Sequence, residues 1–300
     1  MDSLAVFDER ALRPQSIQDR LHRRLAMLNR RRFMPAFPDA DWQQESAASL
    51  PLLREEQDFL ESLRAEVQAE AAAAPTEPEL FREWFEDLKL TGPGQRDPLF
   101  PWLAEKASRD EMRWYLRQEV AGEAGFDDLV ALTQVKLPKR PKLELARNYW
   151  DEMGRGNIKG MHGPMLEKLA NALALQPRVE ETVWESLALA NTMAGLAASR
   201  CYAYHAVGAL GAIELTAPGR STYVAAGLRR LGVPAEDRHY FDLHAILDVK
   251  HSVAWNEEAI VPLVAENPRI ATAIAEGALM RLSCGARCFE RYRSVLWSGS

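Results

Sequence analysis

The sequence predicts an all-α protein, a helical bundle preceded by an N-terminal helical extension, and three observations carry that expectation. Apolar residues recur at spacings of three and four along most of the chain, while the strict alternation of a half-buried strand is scarce. Hydrophobic residues make up 47% of the 300 positions and charged residues 27%, a balance that supports a large packed core. Glycine and proline gather in a few short stretches that punctuate the helices.

Taken in order, SIQDRLHRRLAMLNRRRF from Ser16 places Ile17, Leu21, Leu25 and Leu28 on one helical face with arginines opposite. Eight arginines fall within the first 32 residues, but Asp2, Asp8, Glu9 and Asp19 argue for a solvated helix face over a transit peptide. A second helix is expected from about Leu50 to Ala73, with Pro51 in its first turn and Pro75 beyond its end. A third covers about Glu77 to Leu88. TGPGQRDPLFP, at 91–101, is too rich in Gly and Pro for regular structure. It divides an extension, residues 1–101, expected to pack on the core, from a main domain, residues 102–300. Beyond it helical segments are expected at about 102–108, 109–135, 141–155, 161–174, 179–212, 220–231, 235–256 and 267–296, some merging. PKRPKLEL around Pro138 and TAPGRS at 216–221 read as turns.

A net charge of -6 gives the chain no global electrostatic attraction for nucleic acid or an anionic membrane. No apolar run reaches the roughly 18 residues that span a bilayer, and the N-terminal residues lack the apolar stretch of a secretory signal. Cys201, Cys284 and Cys288 lack the paired spacing of a zinc site and read as small apolar residues in a reducing compartment. A cytoplasmic protein is expected.

Three of the six histidines, His239, His244 and His251, lie within thirteen residues. At about 100° per residue, His244, Asp248 and His251 leave a helix within roughly 60° of one another, while His239 and Asp242 point nearly the opposite way. The apolar neighbours Ile246, Leu247 and Val249 suggest that the stripe faces inward. Two imidazoles and a carboxylate buried together are costly unless a divalent metal neutralises them. A surface ion pair between Asp248 and His251 explains the stripe equally well on its own.

Two further anomalies bear on that choice. In NYWDEMGRGNIKGMHGPM, from Asn148, Glu152 ends a helical run and His162 opens the next, with Gly154, Gly156 and Gly160 between them. Repeated glycine there marks a backbone that bends or approaches something closely, and a plain interhelix loop is the simpler reading. Glu214 closes the small-residue helix ending GALGAIEL, with no basic partner before Arg220; a glutamate reaching solvent is its alternative. His205 lies half a turn from Glu214 and reads as a core or supporting histidine. Glu152, His162, Glu214, His244, Asp248 and His251, three histidines and three carboxylates from separate helices, suit a two-iron site with oxygen and nitrogen ligands.

NYWDEMGRGNIKGMH, the glutamate of GAIELTAP about fifty residues on, and HYFDLHAILDVKH resemble the heme-oxygenase-like diiron oxidases and oxygenases, iron-containing redox enzymes, over roughly 109–296. The resemblance implies a bundle of about seven helices, two Fe(II) ions per site, O2 as cosubstrate, no heme, and a homodimer as one expected assembly. It assigns Glu152 and His162, then Glu214, then His244, Asp248 and His251 as metal ligands. Lys159 and Arg155 stand where some relatives place a Glu. Glu119, in RWYLRQEVAGEAGF, is a further ligand or base by the same resemblance, and an exposed helical glutamate on its own terms. The implied activity is oxidation of a small amino-acid-like or fatty-acid-like substrate, by N-oxygenation, oxidative C–C cleavage or desaturation. The alternative is a thiaminase-like or quinone-cofactor-synthesis type of helical enzyme without a redox metal, for which Cys201 is the nearest nucleophile.

Overall fold

The computed structural model describes residues 16–38, 41–122 and 125–298. Among them all regular structure is helical, and extended backbone pairs only in an isolated antiparallel bridge between Met153 and Met161. The first helix, α1 (Ile17–Phe33), starts at a reciprocal cap: Asp19 N–H donates to Ser16 Oγ at 3.0 Å and Ser16 N–H to Asp19 Oδ2 at 2.9 Å. Such a cap contributes roughly 1 kcal/mol. Then come α2 (Trp42–Ala72), α3 (Pro78–Thr91), α4 (Leu99–Glu105), α5 (Arg109–Gly122), α6 (Phe126–Thr133) and α7 (Lys139–Glu152). The second half holds α8 (His162–Ala172), α9 (Trp184–Ala198), α10 (Ala203–Arg230), α11 (His239–Trp255), α12 (Val261–Glu266) and α13 (Arg269–Leu296). A π-helical turn, Asn256–Ile260, joins α11 to α12. No helix among the described residues is long and apolar enough to cross a membrane.

Helix α10 is the axis of the bundle, packed against α13, α11 and α4. Its contact with α13 depends on two small residues. A Cβ on Gly208 would sit 1.9 Å from the Ile274 carbonyl oxygen, and one on Gly277 would sit 1.9 Å from that of His205. Glycine at both places lets the two backbones touch. Trp255, fully buried at the end of α11, donates from Nε1 to the Val207 carbonyl at 3.1 Å and fixes α11 against α10. Leu60, Phe85, Trp255 and Ile274, from α2, α3, α11 and α13, belong to one apolar cluster. Tyr115, Leu228 and Tyr292 belong to a second. The N-terminal helices therefore share the core of the later ones.

Several expectations need correction. TAPGRS is not a turn: α10 runs through it, with Pro218 inside the helix. Proline has no N–H to give the Glu214 carbonyl, yet the helix continues because both flanks are packed. Thr216 and Thr222 also return hydroxyl hydrogen bonds to Ala212 and Pro218 at 2.7 and 2.9 Å. Glu214 consequently sits in mid-helix, 2% exposed, rather than at an end reaching solvent. The segment 109–135 holds two helices, one ending at Gly122 and one starting at Phe126 after Gly125 at a left-handed φ of 74°, and 179–212 breaks in the 3-10 turn Arg200–Tyr202. The second helix begins at Trp42, so Pro51 lies inside it.

Candidate metal centre

Helix α11 carries the stripe. His244, Asp248 and His251 are buried with Phe241, Ser252 and Trp255 on the face toward the bundle. The apolar neighbours do not supply the inward direction: Ile246 is 72% exposed and Val249 53%. At about 100° per residue both lie more than 90° from His244, so they face away from it. His239 is exposed, and Asp242 pairs with Arg238 and Arg229, so neither shares the stripe.

The opposing donors come from α7, α8 and α10. Glu152 is the last residue of α7 and His162 the first of α8. Between them Gly154 has φ +59°, and a Cβ there would lie 2.3 Å from the Gly160 carbonyl carbon. That backbone contact folds the connection tightly and brings His162 Nδ1 to 2.7 Å from Glu152 Oε2. The six predicted residues gather into two groups, Glu152 with His162 and His244, and Glu214 with Asp248 and His251. Within each group one donor atom per residue lies within 4.8 Å of the others. Glu152, Glu214, His244 and Asp248 line one cavity of about 150 Å³, so the two groups share it.

The histidine rings are oriented by partners behind them. His244 Nδ1 lies 2.6 Å from the Tyr240 carbonyl, which fixes the proton there and leaves Nε2 as the free donor. His251 Nε2 lies 3.2 Å from Asp151 Oδ2, leaving Nδ1 toward Glu214 Oε2 at 3.6 Å and Asp248 Oδ1 at 3.9 Å. Asp151 is itself held by Arg155 Nε at 2.6 Å, and Asn148 Nδ2 donates to Glu214 Oε1 at 2.6 Å. Carboxylate and carbonyl partners behind imidazoles are the usual support of metal-binding histidines. Sequence reasoning missed Asn148 and Asp151; their adjacency to Glu152 on α7 was the available signal.

One family model, that of an iron-containing redox enzyme, matches residues 113–286, and this stretch contains all six residues. The chain belongs to this family. Its fold is similar to that of a CadD-like protein of unknown function from Nostoc punctiforme PCC 73102, solved at 2.00 Å. The TM-score is 0.53 at 17% identity, covering 71% of this chain and 96% of that one. A second structure of that CadD-like protein, at 1.35 Å, aligns with TM-score 0.49 and 16% identity over 82% and 98% of the two chains. No curated protein matches the chain.

As a member of an iron-binding family, the chain has a donor set that fits the metal. His251 Nδ1 and Asp248 Oδ1 are buried without a hydrogen-bond partner, and the buried His162 Nδ1 meets only Glu152 Oε2 of its own group. Buried polar atoms are seldom left so, and a cation would satisfy all three. Burial, then the neighbouring His251, lowers the His162 pKa to about 4, and burial, then His162, does the same to His244. Both are therefore neutral and able to donate to a metal at pH 7. Burial and the charges of Glu214 and Glu152 push the Asp248 pKa well above the usual carboxylate range. For His251 burial acts downward, but hydrogen bonding and charge from Glu214 and Asp151 outweigh it, and its pKa rises. Crowding of carboxylates favours the protonated form, and a divalent cation relieves the same repulsion by taking the place of the proton.

Glu119 lies in neither group. It lines the shared cavity and accepts the Tyr292 hydroxyl at 3.0 Å, so it is not the exposed helical glutamate that its local sequence suggests. His205 is apart from the centre: its Nε2 lies 2.8 Å from Glu276 Oε2, in an ion-pair network with Arg64. Cys201 is exposed beside Ser199, and Cys284 and Cys288 are buried outside the cavity wall.

Proposed function

We propose that this protein is an O2-dependent nonheme diiron oxidoreductase acting on a small amino-acid-like or fatty-acid-like substrate. Glu152, His162 and His244 would hold one ion, and Glu214, Asp248 and His251 the other. The observation that carries this reading is the pairing of two buried carboxylate–histidine groups on one cavity, with three of their donor atoms lacking any other partner. Two ferrous ions, when bound there, would supply the electrons that reduce O2. The chain's own residues do the rest. Tyr240 and Asp151 orient the imidazoles, and Asn148 holds one oxygen of Glu214. Leu116, Leu189, Met193 and Phe241 give the cavity apolar walls that keep water from the reacting atoms. Glu119, with Tyr292 behind it, is placed to accept or return a proton at the cavity wall. No cysteine lines the cavity among the described residues, so a thiaminase-like cysteine nucleophile is not supported there.

The test is anaerobic loading with Fe(II), followed by exposure to O2. A transient visible absorption band with stoichiometric O2 consumption is expected, and both should vanish in Glu214→Ala. Unchanged absorption and no O2 uptake by iron-loaded protein would contradict the proposal.

A further inference from the structure

The cavity shared by the two groups carries a second set of charges that the metal-ligand assignment does not use. Arg220, on α10, and Arg281, on α13, both line it, together with Glu119. Neither guanidinium has a carboxylate within 4 Å among the described residues. Arg220 instead lies over the Phe289 ring, 5.7 Å from its centroid. Burial, and then the nearby positive charge of Arg281, lowers its pKa to about 10, a value at which it stays charged at neutral pH.

Two cations held near one another in a largely apolar wall are unfavourable by themselves. Glu119 offsets only one of them, and one of its oxygens already accepts the Tyr292 hydroxyl. The wall apart from the six candidate ligands therefore carries one positive charge in excess. The remaining surface is mostly carbon, from residues such as Leu116, Phe126, Met193 and Val224.

A larger groove, of about 640 Å³, meets the same arginine from outside. Arg220 lines both spaces, so it stands in the partition between them. The groove also presents Lys89 and Arg96, again without carboxylates within 4 Å, whereas its acids Glu86 and Asp97 are engaged by Arg82 and Arg293. Unpaired cations thus run from the surface to the cavity of a protein whose net charge is -6. Such a local reversal of sign draws anions inward.

We propose that Arg220 and Arg281 anchor the carboxylate of the substrate, and that the substrate is a monocarboxylic acid whose remaining body is apolar. A guanidinium fork pairs with a carboxylate through two parallel hydrogen bonds, and two such groups side by side fix its position as well as its charge. The apolar wall then accommodates the rest of the molecule and directs it toward the metal-binding end of the cavity. This narrows the substrate class within the diiron reading, on which it rests.

The experiment uses metal-free protein, so that substrate anchoring and metal chemistry are read separately. Octanoate and octan-1-ol are titrated calorimetrically into chelator-treated wild type. Octanoate should bind at least about tenfold more tightly than the alcohol, as expected for one charge-assisted bidentate contact. In Arg281→Met and Arg220→Met the preference for octanoate over octanol should disappear, while thermal melts report that the fold persists. Should Arg220→Met fail to fold, Arg220→Lys, which keeps the charge but not the fork, should retain only part of the preference. Equal binding of octanoate and octanol by wild type would overturn the proposal, as would an undiminished preference in the folded variants. Fe(II) stoichiometry measured on the same proteins keeps the two readings distinct. Loss of the headgroup preference with iron uptake intact in Arg281→Met supports the anchor, and absence of iron from wild type counts against the diiron reading alone.

Discussion

At Asp248 burial, and then the charges of Glu214 and Glu152, push the carboxyl pKa well above the usual carboxylate range. His251 is also raised, whereas His162 and His244, each at about 4, are already unprotonated. The protons released on metal uptake should therefore come from the Asp248–His251 group rather than from His162 or His244, which are already neutral at pH 7. Calorimetry in buffers of different ionisation enthalpy measures that release, which should fall in Asp248→Asn. Asp151→Asn should weaken metal binding by roughly 10- to 100-fold, read by chelator competition, because the His251 ring loses the carboxylate that orients it. The stripe on α11 was legible because helical periodicity is a local property. Asn148 and Asp151 were not, since their roles exist only where α7 meets α10 and α11, and their partners Glu214 and His251 lie 66 and 100 residues away.

Among the elements, the connection from α7 to α8 and the middle of α10 show where local rules hold and where packing overrides them. For the glycines of GRGNIKG a plain loop is the simpler reading and a bend or close approach the other, and Gly154 shows the second. Gly154→Ala would force a β-carbon into the Gly160 backbone at a positive φ. It should cost on the order of 1–3 kcal/mol of stability in chemical denaturation. The same substitution should reduce iron at the Glu152–His162 group more than at the other. TAPGRS, by contrast, has the composition of a turn and the structure of a helix. Proline and glycine are unfavourable inside a helix by a few kcal/mol, which a segment packed against α4 and α13 can offset. Nothing in the local sequence reports that burial.

Across the whole molecule, α1 is fastened to α9 by buried polar contacts. Asn191 Nδ2 donates to the His22 carbonyl at 2.9 Å, Asn29 Nδ2 to Asn191 Oδ1 at 2.9 Å, and the His22 ring stacks on Trp184 at 5.7 Å. Burial lowers the His22 pKa from 6.5 to about 4, so between those values the unfolded chain binds the proton and the folded chain does not. Stability contributed at this site is present above about pH 6.5 and declines as pH falls toward 4, by a few kcal/mol at most. Hydrogen exchange of residues 17–33 should consequently accelerate, relative to intrinsic rates, between pH 7 and pH 5, and His22→Phe should flatten that dependence. The all-helical class was legible in the sequence, as was the stripe of His244, Asp248 and His251 on one helix. Packing of the extension on the core was an expectation too, but the faces of α2 and α3 that meet α13 and α12 were not legible, because they depend on tertiary contact.

The central claim is that these six residues form two adjacent metal positions, and iron counted after anaerobic loading tests it most directly. Wild type should retain about two Fe(II) per chain after desalting, since each position has three protein donors. His162→Ala and Asp248→Asn should each lower that count, and the double variant should retain essentially none. Wild type that takes up no iron, or the same count in the double variant as in wild type, would contradict the assignment.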